Sequence, residues 1–161
     1  MINRLRVSFI FHLLRIKQPK VLEPMCGNGR MLIPFMEKGV DIEGFDISED
    51  MLKVCRQKAE QLNLTPTVYC EKIEVFKSDK KYDLILIPFG SFSLLPDELA
   101  ERGLNNLKAV LKDEGKILLT TITRYNGIED IHEWIETNLK HSTRRPLLNI
   151  KRFILMRIIV Y

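Results

Sequence analysis

Residues 21–30, VLEPMCGNGR, constrain the fold of this chain more than any other stretch. Its apolar start favours a strand, and Pro24 cannot continue a central ladder because it has no backbone N–H. Gly27 and Gly29 allow the positive φ, or the crowded backbone, that a tight strand-to-helix crossing needs. Apolar side chains then recur at helical spacing from residue 30 to residue 38. The stretch therefore predicts a strand end, a glycine turn and a helix start.

A ligand can approach the backbone of this turn closely, because the two glycines carry no side chain. The N–H groups at a helix start favour negative charge, whereas the carboxylate of Glu23 at the strand end could bind an amino group. The combination predicts a ligand with both charges.

Asp46 supplies a second half of the predicted site. Residues 40–45 are typical of a short strand, and Asp46 follows that strand, 17 residues after Gly29. In a doubly wound sheet, an acid at this position lies beside the first glycine turn and can accept hydrogen bonds from both hydroxyls of a ribose. Together with the turn, Asp46 predicts a nucleoside ligand.

Residues 23–30 together with Asp46 resemble the cofactor site of class I S-adenosylmethionine-dependent methyltransferases. The family pattern is acid-x-Gly-x-Gly-x-Gly; here Glu23 is the acid, and Met25 replaces the first glycine. The similarity continues in the family's order through residues 42–52, 82–92 and 111–119, so that it covers roughly residues 20–123.

The resemblance implies S-adenosyl-L-methionine as the cofactor, with its methionine end between Glu23 and the turn and its ribose on Asp46. Ile47 and Met51 would line one side of the adenine, and Ile73 the other. Lys72 stands where the family commonly has an acid, which leaves adenine recognition to backbone groups near residues 72–73 or to Glu71. The full set of implied cofactor residues is Glu23, Met25, Cys26, Gly27, Asn28, Gly29, Arg30, Asp46, Ile47, Met51, Lys72, Ile73, Pro88, Phe89 and Gly90.

The methyl acceptor should meet the cofactor at the end of the apolar strand 82–88, where residues 88–92 would border the reactive methyl group. The candidate acceptor residues are Ser91, Phe92 and Tyr125. The sequence Ile-Pro-Phe-Gly at 87–90 argues against methylation of base amino groups, which is associated with an Asn/Asp-Pro-Pro-aromatic motif in this family. The aromatic pair Phe89 and Phe92 predicts a flat or apolar small molecule as the acceptor. Methyl transfer needs alignment more than a strong base, so no catalytic residue is required; the weak candidates for a base are Ser91, Ser93, Tyr125 and His132.

The predicted fold is a Rossmann-like, doubly wound α/β domain with a mostly parallel sheet flanked by helices and a late antiparallel strand or strands. One domain spans 1–161, with an N-terminal helix in 1–19, a cofactor-binding core in 20–123, and a C-terminal helix and late strands in 124–161. Predicted helices cover 2–17, 48–62, 96–111 and 128–139, and later strands cover 67–70, 82–88, 116–122 and part of 145–161. His132 and Glu136 do not complete a metal site.

Charge is distributed unevenly. Residues 1–20 and 141–161 each hold five Lys or Arg and no acid, while 15 bases against 21 acids leave residues 21–140 at −6. The basic ends suit nucleic acid, an acidic partner or a membrane surface, although they also alternate with large apolar residues, as packed faces do. No motif supports nucleic acid binding, and the sequence does not indicate an oligomeric state.

Other observations bound the class of protein. No apolar run reaches the length of a membrane span, no secretory signal is evident, and the three cysteines lack paired spacing, so a cytoplasmic, reduced protein is predicted. One alternative function is a non-catalytic methyltransferase-like scaffold that binds RNA or a protein through the basic ends. Another is an NAD-dependent oxidoreductase, against which stand Leu32 at the third glycine position of that pattern and the absence of a role for Glu23.

Overall fold

Strands and helices alternate along the chain in a computed structural model that describes residues 17–123, 135–136 and 153–159. The elements are β1 (Lys20–Pro24), α1 (Leu32–Met36), β2 (Asp41–Asp46), α2 (Glu49–Glu60), β3 (Thr67–Cys70), β4 (Tyr82–Ile87), a 3₁₀ turn (Ser91–Leu94), α3 (Asp97–Ala109), β5 (Leu111–Thr123), β6 (Ile135–Glu136) and β7 (Phe153–Ile159). They form a seven-stranded sheet in the order β3-β2-β1-β4-β5-β7-β6. This architecture confirms the predicted doubly wound α/β fold.

Both faces of the sheet are covered by helices, as the apolar run of β4 predicts. Leu84 and Leu86 belong to a buried cluster with residues of α1 and α2. Ile85 and Ile87, which alternate with them, belong to a second cluster with residues of α3. The core is therefore divided into two layers by the central strands.

The order of the strands reverses at β1, which lies between β2 and β4 and is parallel to both. Pro24 at the end of β1 is in register with Phe45 of β2, and Val21 is in register with Leu84 of β4. Ligands of open α/β sheets bind at such a reversal, outside the carboxyl ends of the strands. The turn after β1 and the segments after β2 and β4 meet there.

The described helices lie where the sequence predicts them, but their lengths differ from the predicted ones. Ser48 caps α2 as predicted, because its Oγ accepts a hydrogen bond from the Met51 N–H at 3.3 Å. The helix α1 is shorter than the predicted span 30–38, and Pro34 is tolerated because it falls in the first turn. None of the helices in the described ranges combines the length and the apolar character needed to cross a membrane.

The boundary between α3 and β5 differs from the prediction. The sequence predicts a helix over 96–111, but the helix ends at Ala109, and β5 begins at Leu111 instead of residue 116. The Tyr82 N–H donates to the Val110 carbonyl at 3.0 Å, and Tyr82 is in register with Leu111. An irregularity then brings Leu84 into register with Lys116. Leu111 and the residues after it thus belong to β5 because this segment pairs with β4. The local spacing of apolar residues does not reveal that pairing.

The late strands also differ from the prediction. The longer one, β7, runs parallel to β5, and only the two-residue β6 runs antiparallel to β7, so the antiparallel ending is not confirmed for the longer strand. The predicted helix 128–139 is wrong at Ile135 and Glu136, which pair with Leu155 and Ile154 of β7. The rest of that helix and the predicted helix 2–17 lie outside the described residues.

Candidate functional site

The turn after β1 has a left-handed backbone at both glycines, which the glycine pattern allows, and also at Met25. Met25, Gly27 and Gly29 have φ values of 57°, 53° and 76°. A left-handed conformation is uncommon for a residue with a side chain and persists only where the surroundings hold it. Here the Cys26 N–H donates to the Phe45 carbonyl of β2 at 3.0 Å, and the Gly29 N–H donates to the Cys26 carbonyl at 3.0 Å. Met25 therefore departs from the glycine pattern in sequence but not in conformation.

The two glycines serve different purposes. A Cβ on Gly29 would lie 2.5 Å from the Cys55 Sγ of α2, so this glycine lets the turn pack against that helix. Among the described residues, a Cβ on Gly27 would meet Met51 Cε at 3.4 Å and Asp46 Oδ2 at 3.9 Å and nothing closer. Gly27 is therefore the place where a ligand can lie against the backbone.

The carboxyl group of Glu23 lies at this turn with one of its two oxygens unpaired among the described residues. Glu23 is only 2% exposed, and the unpaired oxygen is Oε2. Burial raises the pKa of Glu23 well above its usual value; the backbone amide of Leu32 counteracts this in part, and the charge of Asp46 adds to it. Burying an acid with one unpaired oxygen costs free energy, and a cation or a proton would relieve that cost. An ammonium group fits this position.

Asp46 lies beside the same turn, at the end of β2. Its Oδ2 accepts a hydrogen bond from the Gly27 N–H at 2.8 Å, and its Oδ1 accepts one from the Ser48 N–H at 2.9 Å. Each carboxylate oxygen can accept a second hydrogen bond, so the group can still bind hydroxyls. Ile47 and Met51 next to it are apolar yet 65% and 41% exposed. The carboxylate of Asp46 thus offers a polar surface on one side of the turn, and the side chains of Ile47 and Met51 offer an apolar surface on the same side.

The segment after β3 borders this region through its backbone. The Glu71 N–H donates to the Asp46 carbonyl at 3.0 Å, and the Glu71 carboxylate accepts from the Lys72 N–H at 2.9 Å. Ile73 is 4% exposed and packs against Gly103 of α3, so its side chain offers a ligand little surface. The Lys72 side chain is exposed.

The segment after β4 contains two consecutive residues with left-handed backbone, Phe89 at φ 61° and Gly90 at φ 71°. The buried Gly90 N–H donates to Thr120 Oγ1 of β5 at 2.7 Å. The Ser91 hydroxyl donates to the Pro88 carbonyl at 3.1 Å, so it is engaged within its own turn. Sequence reasoning missed this anchor, because strand propensity alone accounts for threonines in β5.

The aromatic side chains of this segment do not form one wall. Phe89 packs against the cluster of α1 and α2, and the Arg30 guanidinium carbon lies 4.2 Å from the centre of its ring. Phe92 packs against the cluster of α3 together with Met25. Tyr125 and His132 lie outside the described residues, and so do the basic ends 1–16 and 141–152.

Sequence reasoning also missed a buried acid, Glu43, in the middle of β2. Its carboxylate accepts hydrogen bonds from Tyr69 at 2.8 Å, Tyr82 at 3.0 Å and Lys80 at 2.7 Å. Burial raises the pKa of Glu43, but these hydrogen bonds outweigh that effect and leave the pKa below its usual value. The available signal was a charged residue between Ile42 and Phe45, the buried apolar residues of β2. Because Glu43 is fully paired, it serves the fold rather than a ligand.

Comparison with known proteins bears on the family and the fold of the chain. Residues 21–115 match a family model described as a methyltransferase domain. The chain is 29% identical over 124 residues to the ubiquinone biosynthesis O-methyltransferase of Coxiella burnetii, and the matched region covers 77% of this chain and 52% of that protein. It is 29% identical over 101 residues to the putative methyltransferase YqeM of Bacillus subtilis, covering 62% and 40%. The chain thus spans about half the length of these relatives or less.

Solved structures share the fold at lower identity. An S-adenosylmethionine-dependent methyltransferase from Clostridium acetobutylicum has a TM-score of 0.63 at 20% identity, covering 69% of this chain and 46% of that one. The glycopeptide N-methyltransferase MtfA, in complex with S-adenosylhomocysteine, has a TM-score of 0.62 at 20% identity, covering 70% and 49%. These likenesses bear on the architecture of the sheet and its helices.

Proposed function

The chain belongs to the methyltransferase domain family, whose model its residues 21–115 match, and we propose that it binds S-adenosyl-L-methionine and transfers its methyl group to a small molecule. The observation that carries this proposal is the buried Glu23 carboxyl group at the carboxyl end of β1, with one oxygen unpaired among the described residues. A nicotinamide dinucleotide carries no ammonium group that could pair with this carboxyl group, whereas the methionine end of the proposed cofactor does.

The residues around the turn fit the rest of the cofactor. Gly27 leaves room against the backbone, and Asp46 retains acceptor capacity for two ribose hydroxyls. Ile47 and Met51 offer exposed apolar surface on which an adenine could lie. The roles of the remaining implied residues, including Asn28, Lys72 and Pro88, stay predictions.

When bound, the cofactor supplies a methyl group on a positively charged sulfur, which is already activated for displacement. Glu23 and Asp46 would fix its two ends, and the segment 88–92 would border the acceptor. Much of the rate can then come from holding the acceptor atom in line with the methyl group, because correct orientation raises the effective concentration of the reactants by several orders of magnitude. A hydroxyl acceptor is supported by the name of the Coxiella relative, an O-methyltransferase.

The first test is calorimetric titration of the full chain with S-adenosylhomocysteine, S-adenosylmethionine and NAD. We expect the first two to bind and NAD to give no heat. Glu23→Gln removes the charge at nearly constant size and should weaken S-adenosylhomocysteine binding by about ten-fold or more. Glu60→Gln, on an exposed acid of α2, is the matched control. A folded protein that binds neither adenosyl compound would contradict the proposal.

Turnover separates the enzyme from a scaffold that has kept the fold. Incubation with methyl-labelled S-adenosylmethionine and a set of small hydroxyl compounds should yield labelled product. Cofactor binding without transfer to any compound would favour the non-catalytic scaffold. Of the basic ends through which such a scaffold would bind RNA or a protein, only residues 17–20 and 153–159 are described, so the structure gives this alternative no support.

A further inference from the structure

Arg30 differs from the other arginines whose side chains the structure describes. Within residues 17–120, Arg56 is paired with Glu49 and Arg102 with Glu98. No carboxylate in that range is paired with Arg30; instead, its guanidinium lies over the Phe89 ring, with Cζ 4.2 Å from the ring centre. The residue is exposed and follows the glycine turn directly. A positive charge without a carboxylate therefore stands at the mouth of the proposed site.

The Phe89 ring, on which the Arg30 guanidinium stacks, is held in place by its packing and by its backbone. Phe89 packs against the buried cluster of α1 and α2, and its backbone is left-handed. The next residue, Gly90, donates its buried N–H to Thr120 of β5 at 2.7 Å. Unusual backbone of this kind persists where the surroundings determine it and is concentrated at functional sites. Phe89 is thus a fixed platform at the end of β4 rather than a mobile surface group.

Stacking on a ring leaves the edge of a guanidinium free. Its N–H groups lie in the plane of the group, so they can donate two parallel hydrogen bonds to a carboxylate while the face stays on Phe89. The nearby acids are committed elsewhere: Glu23 is buried and suits an ammonium, and Asp46 accepts from two backbone N–H groups. An external anion is the partner that remains for Arg30.

We propose that Arg30, stacked on Phe89, docks a carboxylate of the methyl acceptor, in place of the cofactor contact that the family resemblance implies for this residue. The inference rests on the proposed function, because it takes the end of β4 as the acceptor side. Two features favour the acceptor over the methionine carboxylate of the cofactor as the source of the anion. The guanidinium reaches across to the segment after β4, and it is exposed, whereas Glu23 at the methionine end is buried.

The test measures binding of benzoate and of its neutral analogue benzamide to the full chain saturated with S-adenosylhomocysteine, by ligand-observed NMR. We expect benzoate to bind and benzamide to bind at least ten-fold more weakly. Arg30→Gln should remove the preference for benzoate. Arg102→Gln, which removes one exposed positive charge from α3, should keep it. An unchanged preference in Arg30→Gln, or no preference in the natural protein, would overturn the proposal.

A second pair of ligands distinguishes the two sources of carboxylate. S-adenosylhomocysteine is compared with its decarboxylated analogue, which keeps the amine, on the natural protein and on Arg30→Gln. Unchanged affinity for both in the variant supports docking of the acceptor. A ten-fold loss for S-adenosylhomocysteine alone would overturn it and place Arg30 on the cofactor. Failure of the natural protein to bind either compound would instead count against the proposed function, so the two failures are distinguishable.

Discussion

At the scale of single residues, Glu23 should couple proton binding to ligand binding. Burial raises the pKa of this carboxyl well above its ordinary value of 4.5, and an ammonium beside it would lower the pKa again. Between the ordinary and the raised pKa, the free protein therefore holds a proton that the complex does not. We expect up to one proton to be released on binding S-adenosylhomocysteine in this window, and none above the raised pKa.

Titrations in buffers of different ionisation enthalpy, repeated across the pH range, measure that release. Glu23→Gln should abolish it, because the amide does not titrate. If the variant still binds and releases the same number of protons, another group carries the coupling.

Asp46 makes a prediction of affinity. Asp46→Ala removes the proposed ribose acceptor and should weaken S-adenosylhomocysteine binding by about 1.5–3 kcal/mol. The substitution also leaves the N–H groups of Gly27 and Ser48 without their acceptor, so folding has to be checked by circular dichroism. Asp50→Ala, on an exposed acid in the first turn of α2, is the control. Undiminished affinity in a folded Asp46→Ala protein would remove the ribose assignment.

At the scale of elements, Glu43 ties three strands together. It lies in β2 and accepts hydrogen bonds from Tyr69 of β3, Tyr82 of β4 and Lys80 just before β4. Because these bonds hold the pKa of Glu43 below its usual value, the ionised group stabilises the fold above the unfolded pKa, and this stability is lost as the pH falls through the folded pKa.

Glu43→Gln should therefore destabilise the protein at neutral pH by about 2–4 kcal/mol. The difference from the natural protein should begin to shrink as the pH falls below the ordinary pKa of 4.5, and it should vanish only below the lowered pKa of the folded state, where both proteins carry a neutral group. Urea unfolding at several pH values measures this, with Glu60→Gln as control. A difference that does not change with pH would mean that shape, not charge, is what Glu43 contributes.

How far the sequence predicts each element depends on where its hydrogen bonds go. Ser48 and the acids after it predict the start of α2 from local sequence alone, and the apolar run of β4 predicts a strand buried on both faces. Leu111 is different, because its place in β5 depends on pairing with Tyr82, 29 residues away. Ile135 is assigned to a strand by a partner in β7. Distant pairing of this kind leaves no periodic signal in the segment that it captures.

At the scale of the whole molecule, the same contrast divides the candidate site. Glu23, Gly27 and Asp46 could be predicted because one short pattern fixes their neighbours through the switch point of the sheet. The roles of Thr120 and of the Arg30–Phe89 contact could not, since they need the tertiary arrangement of three different strand ends. The positive φ of Met25 is a further case, because a methionine in the sequence gives no sign of a left-handed backbone.

The final prediction concerns the stability of the folded chain with and without ligand. In the free protein the raised pKa of Glu23 makes stability fall as the pH rises from about 4.5 to the raised value, because the folded state then binds the extra proton. Glu23→Gln should remove this loss and make the free protein more stable at neutral pH, by about 1.4 kcal/mol for each unit of the shift that is titrated.

The natural protein should regain stability from the ligand, about 2.7 kcal/mol when S-adenosylhomocysteine is present at 100 times its Kd. Glu23→Gln should gain far less at that concentration. Urea unfolding of both proteins, with and without the ligand, gives the four values. Because the variant is expected to be the more stable free protein and the weaker binder, poor folding cannot account for its loss of binding. A variant that is less stable than the natural protein at neutral pH would show instead that Glu23 is held ionised by a partner within the fold.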